Sequence, residues 1–254
     1  MCLPNTDLDC IAKSGDACCM GYPGGKGRLW RAISIMMPPH DVYIETHLGG
    51  GAVLRNKRPA QKNIGIDIDP DVIAAARCWT IPNLELAQED AVAFIERYPF
   101  HGNELVYVDP PYPRSTRKGK RYYRFEYGQE DHLRLLEVLL NLDCAVMISS
   151  YPSELYEEKL QSWCAFTLEN ISHGGRRTEV VWTNFSLTER RHDYSHVGAS
   201  FRERERIRRK ASRLVRNLER LPPLERHAIV AALLRSPLIG TSVAYVLGEM
   251  DELQ

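Results

Sequence analysis

Asn63-Ile64-Gly65-Ile66-Asp67 is an apolar run that closes on an acid and is followed by a helical pattern over residues 71–79. A short apolar run bounded by polar residues reads as a buried strand, and the helix after it makes a strand–helix unit. The unit recurs. Asp41-Val42-Tyr43-Ile44-Glu45 precedes it, while Leu84-Glu85-Leu86 before Asp90 and Leu105-Val106-Tyr107-Val108-Asp109 come after it. Ala145-Val146-Met147-Ile148-Ser149 follows a helix over residues 129–142 whose leucines recur at helical spacing, and residues 180–185 close the series. Strands alternating with helices predict βαβ units, a mainly parallel sheet and helices on both faces. Such sheets bind ligands beyond the carboxyl ends of their strands. Glu45, Asp67, Asp90 and Asp109 all fall there, as four acids on one rim.

Past residue 190 the pattern changes. Ile207, Ala211, Leu214, Leu218 and Leu221 stand at spacings of four and three, a helical seam. Pro222-Pro223 ends it, and residues 224–234 read as a second helix. The expected organisation is a poorly ordered leader over 1–20, an α/β domain over 21–190 and an α-helical appendage over 191–254.

The 254 residues carry 33 basic and 33 acidic side chains, with 44% apolar and 26% charged, so disordered and collagen-like classes are excluded. No stretch reaches the roughly 20 uncharged apolar residues that span a bilayer, and no membrane association is expected. The seven cysteines are an odd number, which suits a reducing cytoplasm. None forms a Cys-x-x-Cys pair, and no metal site is expected. Zero net charge taken alone argues against a nucleic-acid partner; the distribution of charge reverses that.

Three segments carry chemistry. Tyr22-Pro23-Gly24-Gly25-Lys26 is a glycine turn between an aromatic and a cation. Glu45 to Ala52 contains Gly49, Gly50 and Gly51 directly after a strand, where the missing Cβ lets a ligand approach the backbone. Its glycine spacing fits neither a phosphate loop nor a dinucleotide fingerprint. Asp67, at the end of the next strand, is placed to accept hydrogen bonds from a ribose diol. Asp109-Pro110-Pro111-Tyr112 is the decisive one. Its two prolines stiffen the chain and leave carbonyls without neighbouring N–H donors. The Asp109 carboxylate and Pro110 carbonyl then form two rigid acceptors beside an aromatic ring. That arrangement suits an exocyclic amino group on a flat ring, whose nitrogen it would turn toward an electrophile.

In motif order, residues 22–185 resemble the Dam-type DNA adenine methyltransferases, phage- and prophage-borne members most. The resemblance implies a Rossmann-like S-adenosylmethionine-dependent methyltransferase fold with a C-terminal helical appendage. It implies S-adenosyl-L-methionine as cofactor and methyl transfer to the adenine amino nitrogen of double-stranded DNA. Tyr22, Gly24, Gly25 and Lys26 match the family's opening motif at the cofactor. Glu45, Gly49, Gly50 and Gly51 match its glycine loop, Asp67 the ribose-binding acid, and Asp90 the acid near the cofactor's adenine ring. Asp109, Pro110, Pro111 and Tyr112 match the catalytic tetrapeptide, Asp109 also bordering the cofactor. His173-Gly174-Gly175-Arg176-Arg177 resembles a family loop that lies close to DNA.

Two departures stand out. The family's Pro-Phe after the glycine-loop acid is Thr46-His47 here, with His47 in the place of the phenylalanine. About twenty residues separate Asp69 from Asp90, where Dam-type enzymes carry a large target-recognition insertion, so the target sequence does not transfer.

Residues 113–128 hold Arg114, Arg117, Lys118, Lys120, Arg121 and Arg124 against Glu126, a net of +5. Tyr122, Tyr123, Phe125 and Tyr127 are interleaved. Cations for phosphates and aromatics for an extruded base make this the expected DNA contact. Residues 202–220 hold nine cations against Glu203, Glu205 and Glu219, and read equally as a nucleic-acid grip or a protein-pairing face. A monomer or weak dimer is expected. Two rival functions remain: a catalytically idle cofactor- and DNA-binding regulator, and methyl transfer to amino groups of RNA or protein.

Overall fold

The computed structural model describes residues 25–27, 29–116, 124–172, 175–198 and 200–247, and of 170–172 and 175–177 the backbone alone. The strands are β1 (Val42–Thr46), β2 (Lys62–Asp67), β3 (Leu84–Gln88), β4 (Glu104–Val108), β5 (Ala145–Ser150), β6 (Cys164–Ser172) and β7 (Gly175–Thr183). They form one sheet in the order β3-β2-β1-β4-β5-β7-β6. The first five run parallel, with Ile44 facing Ile64 on one side and Val106 on the other. β7 enters antiparallel between β5 and β6, pairing Ile148 with Trp182.

The helices of this sheet are α1 (Trp30–Met36), α2 (Pro70–Ala76), α3 (Ala91–Arg97), α4 (Gln129–Leu140) and α5 (Glu154–Lys159). α4 is amphipathic for a visible reason: Leu135, Leu136 and Leu139 fall on one face with His132, and all four are buried. The three leucines join Ile44, Val106, Val146 and Ile148 from the sheet, Phe94 and Ile95 from α3 and Tyr156 from α5 in one core cluster. Truncating one such leucine costs about 2–5 kcal/mol. An acid two residues beyond each of β2 and β3 also starts a helix. Asp69 accepts from Asp71 N at 3.0 Å with Pro70 at the first helical position, and Asp90 accepts from Ala93 N at 3.0 Å. Each such cap is worth about 1 kcal/mol.

The expected run over 180–185 is β7, but its partner β6 and the antiparallel pairing lay outside the sequence reading. Asn184 seals the junction: its Oδ1 accepts from Val146 N at 2.8 Å and its Nδ2 donates to Cys144 O at 2.8 Å.

The chain divides into two compact units. One holds the described residues up to Ile33 with His40–Leu187; the other holds Ser34–Pro39 with the described residues from Thr188 onward. In the second unit His192 N donates to Met37 O at 3.0 Å, which ties the short Ser34–Pro39 piece to it. Its helices are α6 (Phe201–Glu219), α7 (Pro223–Arg235) and α8 (Pro237–Leu247), the last not foreseen in the sequence. Among the described residues no single helix is long and apolar enough to cross a membrane.

Candidate active site

The sheet order reverses between β1 and β4, so crossovers leave these neighbours in opposite directions and open a crevice at their carboxyl ends. A cavity of ≈ 530 Å3 lies there. Asp67 ends β2, Asp90 stands just beyond β3 and Asp109 follows β4; all three line it, with His47 from beyond β1. Ile68, 44% exposed, lines the cavity between the first two acids and offers an apolar face.

Glu45 does not share this cavity. Tyr43 and Glu45 are two apart in β1 and therefore point to the same face of the sheet. Tyr43 Oη donates to Glu45 Oε2 at 2.7 Å inside the protein. Burial pushes the Glu45 carboxyl up to about 8.

The glycine loop is fastened to Asp67. Leu48 N donates to Ile66 O at 3.0 Å, Gly51 N closes the turn on Leu48 O at 2.7 Å, and Gly49 N reaches Asp67 Oδ2 at 2.9 Å. Asp67 Oδ1 accepts from Asp69 N at 2.9 Å. A carboxylate offers about four lone-pair sites, so these contacts do not exhaust its capacity to accept from a hydroxyl group in the cavity. Burial raises the Asp67 pKa. Gly49 and Gly51 sit at φ 50° and 57°, where Cβ-bearing residues are strained, and Gly50 lies between them. Gly51 serves packing rather than ligand approach, because a Cβ there would stand 2.3 Å from the Trp79 ring.

Asp109 lies in a buried charged network. Lys26, 3% exposed, donates to Asp109 Oδ1 at 2.6 Å and Oδ2 at 2.7 Å. Lys26 also donates to Tyr112 Oη at 2.5 Å, lies 3.5 Å from Glu179 Oε2 and sits 4.8 Å from the Tyr112 ring centroid. Tyr112 Oη in turn donates a hydrogen bond to Glu179 Oε2 at 2.7 Å. Ser149 Oγ donates to Asp109 Oδ1 at 3.1 Å and meets Tyr107 Oη at 2.9 Å. Burial alone would lower the Lys26 pKa, but the Asp109 and Glu179 carboxylates outweigh it and hold it above its ordinary value. Pro110 is buried and Pro111 lines the cavity. Tyr112 is 3% exposed, its ring edge-on to Tyr151 at 4.5 Å. Lys26 therefore holds both Asp109 oxygens and lies against Tyr112 in this structure.

Across the cavity His47 Nε2 and Tyr127 Oη are 2.7 Å apart, with the rings edge to face. Burial lowers the His47 pKa to about 3, so the imidazole is neutral near pH 7. Tyr127 and Arg114 also line a second cavity of ≈ 610 Å3, reached from Pro113 and bounded by Pro152 and Ser153 beyond β5.

Of the residues expected at DNA, Arg114 is an exposed side chain 3.8 Å from Glu126. Arg124 bridges Asp69 at 2.9 Å and Asp71 at 2.6 Å. Arg176 and Arg177 belong to strand β7 rather than to a loop. Gly25 is exposed beside Lys26. Tyr22, Gly24, Arg117, Lys118, Lys120, Arg121, Tyr123 and His173 lie outside the described residues. Sequence reasoning missed Ser149, Glu179 and Ile68 as parts of the site. Ser149 lies near the end of β5 beside β4, a signal that was readable; Glu179 comes from β7, whose place in the sheet was not.

No family model matches the chain, and no curated protein matches it. Among solved structures it is similar to the 23S rRNA methyltransferase ErmE, at 12% identity over 74% of this chain and 76% of that one, TM-score 0.43. It is similar also to the N-methyltransferase NodS from Bradyrhizobium japonicum WM9 (12%, 63% and 94%, 0.44). A third is M. capricolum TrmK in complex with S-adenosyl-homocysteine (9%, 85% and 97%, 0.42). The strand order decides the class, with five parallel strands and the antiparallel β7 set between β5 and β6. The fold is Rossmann-like, a seven-stranded mixed sheet with its ligand crevice at the strand-order reversal. In it the acids Asp67, Asp90 and Asp109 occupy successive strand ends around one crevice.

Proposed function

We propose that the chain transfers a methyl group from S-adenosyl-L-methionine to the exocyclic amino nitrogen of adenine in double-stranded DNA. One observation carries the reading: Asp109-Pro110-Pro111-Tyr112 leaves β4 at the mouth of the crevice, with Asp109 on the cavity that Asp67 and Asp90 also line. The cavity fits a nucleoside-bearing cofactor, since Asp67 keeps lone pairs for a ribose diol and Ile68 presents an apolar face for a flat ring. When bound, that cofactor supplies an electrophilic methyl on a sulfonium.

The chain's own part is positioning and electrostatics. Asp109 and the Pro110 carbonyl accept the two amino hydrogens and turn the nitrogen lone pair outward. Tyr112 offers its ring to the planar base. Lys26 holds the same carboxylate oxygens and the same ring, so the acceptor must displace it, and Glu179, already 3.5 Å away, is the anion that can keep it. Arg114 lines both cavities, and its exposed guanidinium supports a role in holding a phosphate.

The test is incubation with labelled-methyl cofactor and duplex DNA, followed by digestion to nucleosides and mass detection. Methyladenine is expected, and Asp109→Ala abolishes it while calorimetric cofactor binding persists. Methylcytosine, or undiminished transfer by the Asp109→Ala protein, overturns the reading.

A further inference from the structure

Helix α6 carries a second pattern beside its apolar seam. Arg202, Arg206, Arg209, Arg213, Arg216 and Arg220 follow one another at spacings of four, three, four, three and four. At about 100° per residue these positions fall within about 40° of a single line. The seam from Ile207 to Leu221 is centred about 140° round the helix from them. All six arginines are exposed. Two of the helix's acids reach two members of this line: Glu205 holds Arg209 as well as Arg208, and Glu203 lies 3.4 Å from Arg206. Arg202, Arg213, Arg216 and Arg220 have no ion pair or hydrogen-bond partner through their guanidinium groups among the described residues.

We propose that this arginine stripe is a separate binding surface for the phosphate backbone of duplex DNA, independent of base sequence. The stripe spans about 27 Å at a rise of about 1.5 Å per residue. A duplex presents about one negative charge per 1.7 Å of axis, so it matches such a row along its whole length. The row is all arginine and no lysine, and the guanidinium fork pairs two oxygens of one phosphate where an ammonium offers a point charge. Charge rather than burial must drive the contact, because the apolar seam faces elsewhere. The surface deepens the DNA reading: it supplies affinity without sequence information in a chain that lacks the family's recognition insertion.

The test compares the full-length protein with its Arg202→Gln/Arg213→Gln/Arg216→Gln/Arg220→Gln variant, binding a random-sequence duplex measured by fluorescence anisotropy across salt. An all-lysine variant at the same four positions controls for folding and for bare charge. The slope of log K against log salt is expected to shrink by about 3.6 in the glutamine variant and to stay near wild type in the lysine variant. An unchanged slope overturns the proposal. So does a glutamine variant that loses binding to anionic-lipid vesicles while keeping its duplex affinity, because α6 is then a membrane-surface helix. Labelled-methyl transfer run on the same samples separates the two readings. Arginine-dependent duplex binding without methyladenine leaves the stripe standing and removes the proposed chemistry. Methyladenine with an unchanged slope does the reverse.

Discussion

Lys26 Nζ lies 2.6 Å from Asp109 Oδ1 and 2.7 Å from Oδ2, joining residues 83 apart in the chain. Lys26 is buried and the Asp109 side chain is 18% exposed, and buried Glu179 stands close enough to share the cation. Removing one member of a buried pair leaves a charge without compensation, at a cost of about 3–5 kcal/mol. Lys26→Met is therefore expected to lower the unfolding free energy measured in urea by that much, and the Lys26→Met/Asp109→Asn double variant to recover a large part of it. A Lys26→Met protein within 1 kcal/mol of wild type, a bound set by the usual size of exposed pairs, would show the pair to be solvent-screened.

Gly51 predicts a steric coupling. An alanine there meets the Trp79 ring at 2.3 Å and also takes a positive φ. Gly51→Ala is expected to destabilise by about 2–4 kcal/mol, as overpacking and backbone strain add. In the Gly51→Ala/Trp79→Ala protein the clash disappears, and the second alanine costs less than it does in wild type. Additive losses in this cycle, measured by denaturant unfolding, would refute the contact.

Asp67 holds the glycine loop through one oxygen and the start of α2 through the other. In Asp67→Asn one acceptor becomes an NH2 facing an N–H donor, so one of the two anchors is lost. Calorimetry with S-adenosyl-L-methionine should then show at least a tenfold weaker association, about 1.4 kcal/mol. Equal affinity would mean that the cofactor leaves Asp67 untouched.

The parallel half of the sheet was legible because Ile64, Ile66, Val106 and Val108 lie in apolar runs that each end on an acid. Those acids marked the crevice directly. Glu45 looked like a fourth member because a strand-terminal carboxylate in sequence carries no sign of which face it points to. The period-2 alternation that pairs it with Tyr43 turns it inward. β6 escaped because Cys164–Ser172 mixes polar and apolar residues as an outer strand does, and the antiparallel insertion of β7 depends on long-range pairing that no local pattern encodes. Glu179 was lost with it. The Lys26–Asp109 pair shows the same limit, since each residue was readable as a motif member and their union was not.

Two strongly perturbed side chains, Glu45 and His47, give stability a pH profile of its own. Burial raises Glu45 from 4.5 to about 8 and lowers His47 from 6.5 to about 3. The folded state therefore keeps a proton on Glu45 that the unfolded chain loses above pH 4.5, and this contribution disappears as pH rises through about 8. His47 acts in the opposite direction: its contribution is complete above 6.5 and is lost as pH falls toward 3. Between 4.5 and 6.5 the two oppose each other. From 6.5 to 8 Glu45 acts without His47 and lowers stability by at most about 1.4 kcal/mol per pH unit. Glu45→Gln keeps an acceptor for the Tyr43 hydroxyl and has no proton to lose. Urea midpoints of wild type are thus expected to fall from pH 6.5 to 8, while those of Glu45→Gln fall distinctly less. Parallel curves for the two proteins would place the titration on another group.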